Sequence, residues 1–293
     1  MAMVLWGCDP PGAARRRAER ASRAETTLTG GTVAAETVAA TPVRSTPVTY
    51  DEAESAYREK RYAVAVELFA GYVELKPENP WGHYMLGLSA WKAGQPDDAE
   101  RAFTAALTLD PGHVKSLLNL GRVFLETDRA EEALVRIDSA IAIDPQAPDV
   151  LRLKGRALVE LGRVDEAIDT YRDAIKLDDR DGWAMNNLGL VYVSQGTPEL
   201  GLPPLARAAE LAPDIAVFHN NLGMALERAG YFGAAVASYR RAVDADTSHA
   251  KAAANLARLE QRPDATTVEV EVGTFATAFV EEIARWRDVA VVR

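Results

Sequence analysis

The residues of this chain that could make or break bonds are four histidines, one cysteine and a few runs of adjacent carboxylates. His83, His113, His219 and His249 are read as unrelated positions without ligand or base partners, each a surface or groove side chain. The carboxylate pairs Asp97-Asp98, Glu131-Glu132 and Asp165-Glu166 recur at equivalent places. There they would open helices, where the dipole favours negative charge, and that role accounts for them without acid–base work. The sequence has no glycine-rich loop followed by lysine and no His-Glu-x-x-His. The single Cys8 rules out an intrachain disulfide and a cysteine-built metal site. The expectation is therefore no catalytic residues, no metal and no cofactor, because no nucleophile, base and orienting group can be assembled from these positions.

Binding chemistry is better represented. Asn119, Asn187, Asn221 and Asn255 share one repeat position, with Leu153 interrupting the row. Asparagine is a poor helix former that competes for backbone hydrogen bonds, so its recurrence needs a reason. An amide both donates and accepts. A row of them can satisfy the backbone of an extended peptide, or it can bond neighbouring helices together. Lys115, Arg122, Arg152 and Arg156 add a basic stripe. Such a stripe would steer an acidic segment or a terminal carboxylate, or it would merely balance Glu126 and Glu160. The whole chain is acidic, with a net charge of −10 and a pI near 5.1. That disfavours non-specific nucleic-acid binding, which depends on a basic surface to displace counterions.

The elements that must present these residues repeat. Gly87, Gly121, Gly155, Gly189 and Gly223 follow one another at intervals of 34. Ala65, Ala99, Ala133, Ala167, Gly201 and Ala235 keep the same period, as do Phe69, Phe103, Ile137, Tyr171, Leu205 and Tyr239. A turn residue closes most units: Pro77, Pro111, Pro145, Asp179, Pro213 and Thr247. Within 114–147, Leu117, Leu120, Gly121 and Phe124 fall on one helical face. Ala133, Ile137, Ala140 and Ile141 fall on another. This predicts a helical hairpin repeated in register, with small residues where two axes approach and proline ending the second helix. With 48% hydrophobic and 26% charged residues, the chain can build such a core.

The pattern resembles the tetratricopeptide repeat, most clearly in "LLNLGRVFLETDRAEEALVRIDSAIAIDPQA" (117–147) and "NNLGLVYVSQG" (186–196). The resemblance implies an all-α fold, a right-handed superhelical solenoid of about six helical hairpins plus a capping helix. It places repeats at about 46–79, 80–113, 114–147, 148–181, 182–215 and 216–249, with the cap helix at 250–262. The first repeat departs from the pattern, with Glu52 where its neighbours carry Leu86 and Leu120. The fifth has Gly201, Pro203 and Pro204 in its second helix, which must start late or kink.

In this family the first helix of each hairpin lines the concave face. The resemblance therefore implies a partner-binding groove built from Tyr50, Trp81, Tyr84, Lys115, Asn119, Arg122, Arg152 and Arg156. Trp183, Asn186, Asn187, Asn220, Asn221, Lys251 and Asn255 continue it. Tyr57 and Trp91 also reach that face or pack between helices. The expected role is a non-catalytic scaffold that holds an extended, acidic segment of another protein, with no nucleic acid. The alternatives are an accessory or regulatory subunit of an enzyme or envelope assembly complex, and a self-assembling structural protein.

The ends differ from the repeats. Residues 1–45 read as a flexible tether containing the basic cluster Arg15, Arg16, Arg17, Arg20 and Arg23. Leu5-Trp6-Gly7-Cys8 resembles a bacterial lipobox, so Cys8 is a candidate lipidation site, with an incidental cysteine in an ordinary tail as the alternative. A lipidated Cys8 would anchor the protein in the cell envelope, its only expected membrane contact; an unmodified one leaves it cytoplasmic. Residues 263–293 form an extension in which 266–272 alternates like a short strand. Thr274 to Arg287 then reads as an amphipathic helix with Phe275, Phe279, Ile283 and Trp286 on one face.

Overall fold

The computed structural model describes residues 47–261 and 269–291. Cys8, the basic cluster and the tether lie outside the described residues. Fourteen helices occupy the described chain, and no strand occurs among the described residues. The chain divides into two units, 47–129 and 130–291 in their described parts.

The first unit holds α1 (Tyr50–Arg58), α2 (Tyr62–Leu75), α3 (Pro80–Lys92), α4 (Pro96–Leu109) and α5 (Val114–Glu126). Helix α1 starts where Thr49 accepts a hydrogen bond from the Glu52 amide. The Asn79 side chain caps α3 in the same way, with Pro80 as its first residue. Each first helix of this unit is followed by a residue in the left-handed region. In the second hairpin this is Gly94 (φ 79°), and the Gln95 amide then bonds back to the Ala90 carbonyl. Positions 60, 128, 162, 196 and 230 repeat this conformation, filled by Lys60, Asp128 and three glycines. The core is laid down by Ala53, Ala65, Phe69, Ala99 and Phe103, all fully buried. Gly87 faces the Phe103 ring so closely that an added Cβ would sit 2.7 Å from it.

The second unit holds α6 (Ala130–Ile143), α7 (Pro148–Glu160), α8 (Val164–Leu177), α9 (Gly182–Ser194), α10 (Pro198–Leu211), α11 (Ala216–Arg228) and α12 (Phe232–Ala245). Helices α13 (Ala250–Glu260) and α14 (Val272–Val291) complete it. First helices α7, α9, α11 and α13 form one layer, and the second helices pair with them. Gly155 meets Tyr171 and Gly223 meets Tyr239 just as Gly87 meets Phe103. The acidic pairs do open second helices: Asp97 and Asp98 in α4, Glu131 and Glu132 in α6, Asp165 and Glu166 in α8.

Two expectations need correction. Helix α10 starts in register with the other second helices and runs unbroken through Pro203 and Pro204. The two missing N–H groups are offset by unusually close packing: α9 and α10 touch backbone to backbone at Gly189 and Gly201, and Leu202, Leu205 and Ala206 are buried. The alternating segment is not a strand where it is described. Residues 269–271 have no regular structure and Val272 already begins α14. Val270 and Val272 pack against the helical core instead, since no sheet edge is there to pair with them. The cap helix exposes Lys251, Arg258, Glu260 and Gln261. Arg258 makes a two-pronged bond to Glu227 at 2.6 and 2.7 Å, and Glu260 pairs with Arg240 at 2.6 Å.

Helix α14 lies over α10 and touches α8. Ala276, Phe279 and Ile283 are buried in the unit's core, and Phe275 and Trp286 pack at its margin. Arg287 reaches the end of α8, donating to the Lys176 carbonyl at 2.9 and 3.1 Å and to Asp179 at 2.7 Å.

Candidate functional site

In the second unit the asparagines form one connected chain of amides. Asn255 Nδ2 donates to Asn220 Oδ1 at 3.1 Å, and Asn220 Nδ2 to Asn221 Oδ1 at 3.4 Å. Asn221 Nδ2 donates to Asn186 Oδ1 at 2.8 Å, and Asn186 Nδ2 to Asn187 Oδ1 at 3.4 Å. Five side chains thus link α13, α11 and α9, every bond donated in the same direction. Asn186, Asn187, Asn220 and Asn221 are buried, and only Asn255 is half-exposed. This corrects the expectation of an open asparagine face. Successive first helices lie close enough for adjacent positions of neighbouring repeats to meet, so the amides satisfy one another. A buried amide without a partner would cost about 1–3 kcal/mol, which explains why asparagine is accepted in pairs here.

The cations are also partly committed. Arg152 Nε donates to Asp181 at 2.9 Å, and Asp181 in turn caps α9 through the Ala184 amide. Arg156 pairs with Glu160 at 3.2 Å. Glu126, the expected partner of the arginines, accepts instead from Trp91 Nε1 at 2.9 Å. Trp183 packs edge-on against Phe218 at 4.7 Å, and Lys251 is exposed.

The first unit presents a different surface. Trp81 is 46% exposed, although its indole is fixed by edge contacts to His113 at 4.6 Å and Tyr84 at 5.7 Å. The exposed Lys115 ammonium lies 5.1 Å from the indole centroid. Beside them Asn119 donates to the Lys115 carbonyl at 3.0 Å and to the Tyr84 hydroxyl at 3.4 Å, and accepts from Arg122 at 2.9 Å. Tyr84 and Asn119 are buried supports, so the face itself consists of Trp81, Lys115 and the half-exposed Arg122. Tyr50 packs on Phe69 and Tyr72, at 5.5 Å from each. Tyr57 leans on Tyr62.

A tetratricopeptide-repeat family model matches residues 84–149 and 186–250, and a TPR-repeat model matches 155–196. The chain belongs to the tetratricopeptide-repeat (TPR) family. Solved structures agree on the fold. A thermophilic TPR protein of Thermus thermophilus is 21% identical and superposes with a TM-score of 0.55, covering 62% of this chain and 99% of its own. PilF of Pseudomonas aeruginosa is also 21% identical, with a TM-score of 0.55 over 61% of this chain and 82% of its own. A chain of the Cut9–Hcn1 hetero-tetramer of APC/C is 17% identical, with a TM-score of 0.61 over 71% of this chain but 41% of its own. No curated protein matches the sequence.

Within the TPR register the histidines are not unrelated, and two of them are not at the surface. His83 and His219 occupy one repeat position, four periods apart, and each ring Nε2 donates to a proline carbonyl at 2.8 Å, Pro77 or Pro213. His113 and His249 occupy another, and each Nδ1 accepts the amide that opens the following helix, at Ser116 or Ala252. They fasten turns between repeats. The signal was the shared period, visible only once both pairs are aligned over a four-repeat gap. No group of three or more His, Cys, Asp or Glu that could hold a metal ion occurs among the described residues.

His113 and His219 are buried, and burial is the main cause that pushes both imidazoles below their ordinary value near 6.5. Lys115 adds to this at His113 and Arg241 at His219, while Asp110 opposes it at His113. Protonation would remove the Nδ1 acceptor that caps α5, and would give His219 a second N–H at a buried atom without a partner. Below about 6.5 the unfolded chain therefore binds protons that the folded chain refuses, and stability falls as pH drops through that window. Urea midpoints at about pH 7.5 and pH 5.5 should show this loss in the wild type. A His113→Asn, His219→Gln variant should show a smaller loss; an unchanged one would remove the histidines from the account.

Proposed function

We propose that this chain is a non-catalytic protein-interaction scaffold that holds an extended segment of a partner against its first helices. Protein interaction is what TPR folds commonly serve. One observation carries the finer reading. Trp81 offers an apolar ring already locked by His113 and Tyr84, so little conformational entropy is lost when it is covered. Lys115 lies against that ring and Arg122 bonds the supporting Asn119, in a protein of net charge −10. The chemistry suits an apolar side chain next to a carboxylate, an acidic segment being favoured by the local cations against the general field.

In the second unit, taken by itself, the accessible part of the first-helix layer is Trp183, Arg152, Arg156, Lys251 and Asn255. The buried asparagines then act behind the surface, fixing the spacing of the helices that carry these residues. The decisive experiment is a pull-down from the native source with wild type and Trp81→Ala, followed by binding of the captured partner's peptide. Truncating a central aromatic anchor should weaken binding by about 2 kcal/mol, roughly thirtyfold. A partner held equally by Trp81→Ala and by Lys115→Glu would sink the reading. A mass that instead rises with concentration in the absence of any partner would favour self-assembly.

A further inference from the structure

In the second unit three helix faces converge on an open cleft of about 1530 Å³. Helix α10 contributes Ala206 and Ala209, α12 contributes Ala234 and Ala237, and α14 contributes Thr277 and Ala278. On each wall short side chains recur at helical spacing, with Glu210, Arg241 and Glu281 beside them. The cleft exists because α14 lies over α10 rather than over α12, leaving a trough between them. We propose that this trough is a second docking site, and that it receives a basic helical segment of a partner protein.

Its size decides the class of occupant. It exceeds the ~300–1,000 Å³ usual for a small-molecule pocket. A helix about 10 Å across occupies roughly 1,300 Å³ over three turns, which matches the cleft. An extended strand would gain nothing, because the walls are helices whose backbone groups are already paired and offer no edge. Alanine and threonine ridges let a helix axis come close, while larger residues would hold it off.

Charge decides the sign. Asp214, Asp244, Glu271 and Glu281 line the cleft, are exposed, and form no ion pair among the described residues. Glu210 is already paired with Arg207 at 2.7 Å, and Arg241 is the cation among the lining residues. Four carboxylates without an ion pair among the described residues, around a largely apolar floor, complement lysine or arginine on the flanks of a helix whose buried face is small. This site differs in chemistry and location from the one proposed above, so the two can fail separately.

The test uses the full chain and a fluorescent, alanine-based helical peptide of about 16 residues with arginine at every fourth position, near the length the cleft admits. Anisotropy should show saturable binding. Asp244→Lys with Glu281→Lys, both at exposed sites, should weaken it at least about tenfold. Ala237→Trp, which fills the trough without changing charge, should weaken it comparably. Absence of saturable binding overturns the proposal. So does equal affinity in the charge-reversed and wild-type chains, or equal affinity of the wild type for the same peptide with glutamate in place of arginine.

Discussion

Replacing Phe279 by alanine should destabilise the protein by about 3–5 kcal/mol, the range for emptying a fully buried aromatic site. Phe279 is 1% exposed, sits in the core formed with α8 and α10, and makes an edge contact with Trp286 at 5.5 Å. Its neighbours on that face, Ala276 and Ile283, cannot close the gap, because they are already buried. Trp286 is further held by Arg172, whose guanidinium lies 5.4 Å from the ring and bonds the Tyr192 hydroxyl at 2.8 Å. Losing Phe279 therefore loosens a contact that runs from α14 into α9. Urea unfolding, followed by far-ultraviolet circular dichroism and tryptophan emission, would measure the effect. A cost under about 1 kcal/mol would mean that α14 rests on the repeats without being part of their core. The same result would remove one wall of the cleft proposed above.

Most of the fold was legible because the repeat writes each structural requirement several times. The glycine at 87, 155 and 223 and the ring 16 residues later are one contact stated three times. The course of α10 was not legible. A pair of prolines predicts a late start or a kink when it is read alone, and the compensation comes from another helix. Gly189 lies in α9, and the cover supplied by α14 is remote in sequence. The asparagines show a different limit. Their common position was plain, but not which way they face. A ladder that meets solvent and one that meets the neighbouring helix have the same period. What separates them is the second row, Asn186 and Asn220, which supplies the acceptors for Asn221 and Asn255. Likewise Lys115 and Arg122 were identifiable as cations, whereas the locking of Trp81 by His113, at the far end of its own repeat, depends on packing.

Gly189→Ala should cost close to 3 kcal/mol, even though alanine is the better helix former by about 1 kcal/mol. The added Cβ would lie 2.5 Å from Leu205 Cγ and 2.9 Å from the Gly201 carbonyl oxygen. Neither can yield: Leu205 is fully buried, and the other atom is backbone. Relief requires α9 and α10 to move apart, which breaks the contact that offsets Pro203 and Pro204. The overpacking penalty therefore outweighs the propensity gain. Gly273→Ala is the matched control. It also lies within a helix, but a Cβ there meets nothing within 4 Å. Propensity should then act alone, and that variant should be more stable by about 0.4–1 kcal/mol. Opposite signs for the same chemical change would locate the stability of this repeat in backbone proximity. If Gly189→Ala instead matched Gly273→Ala, the close approach of α9 and α10 would be wrong, and the tolerance of two prolines in α10 would need another cause.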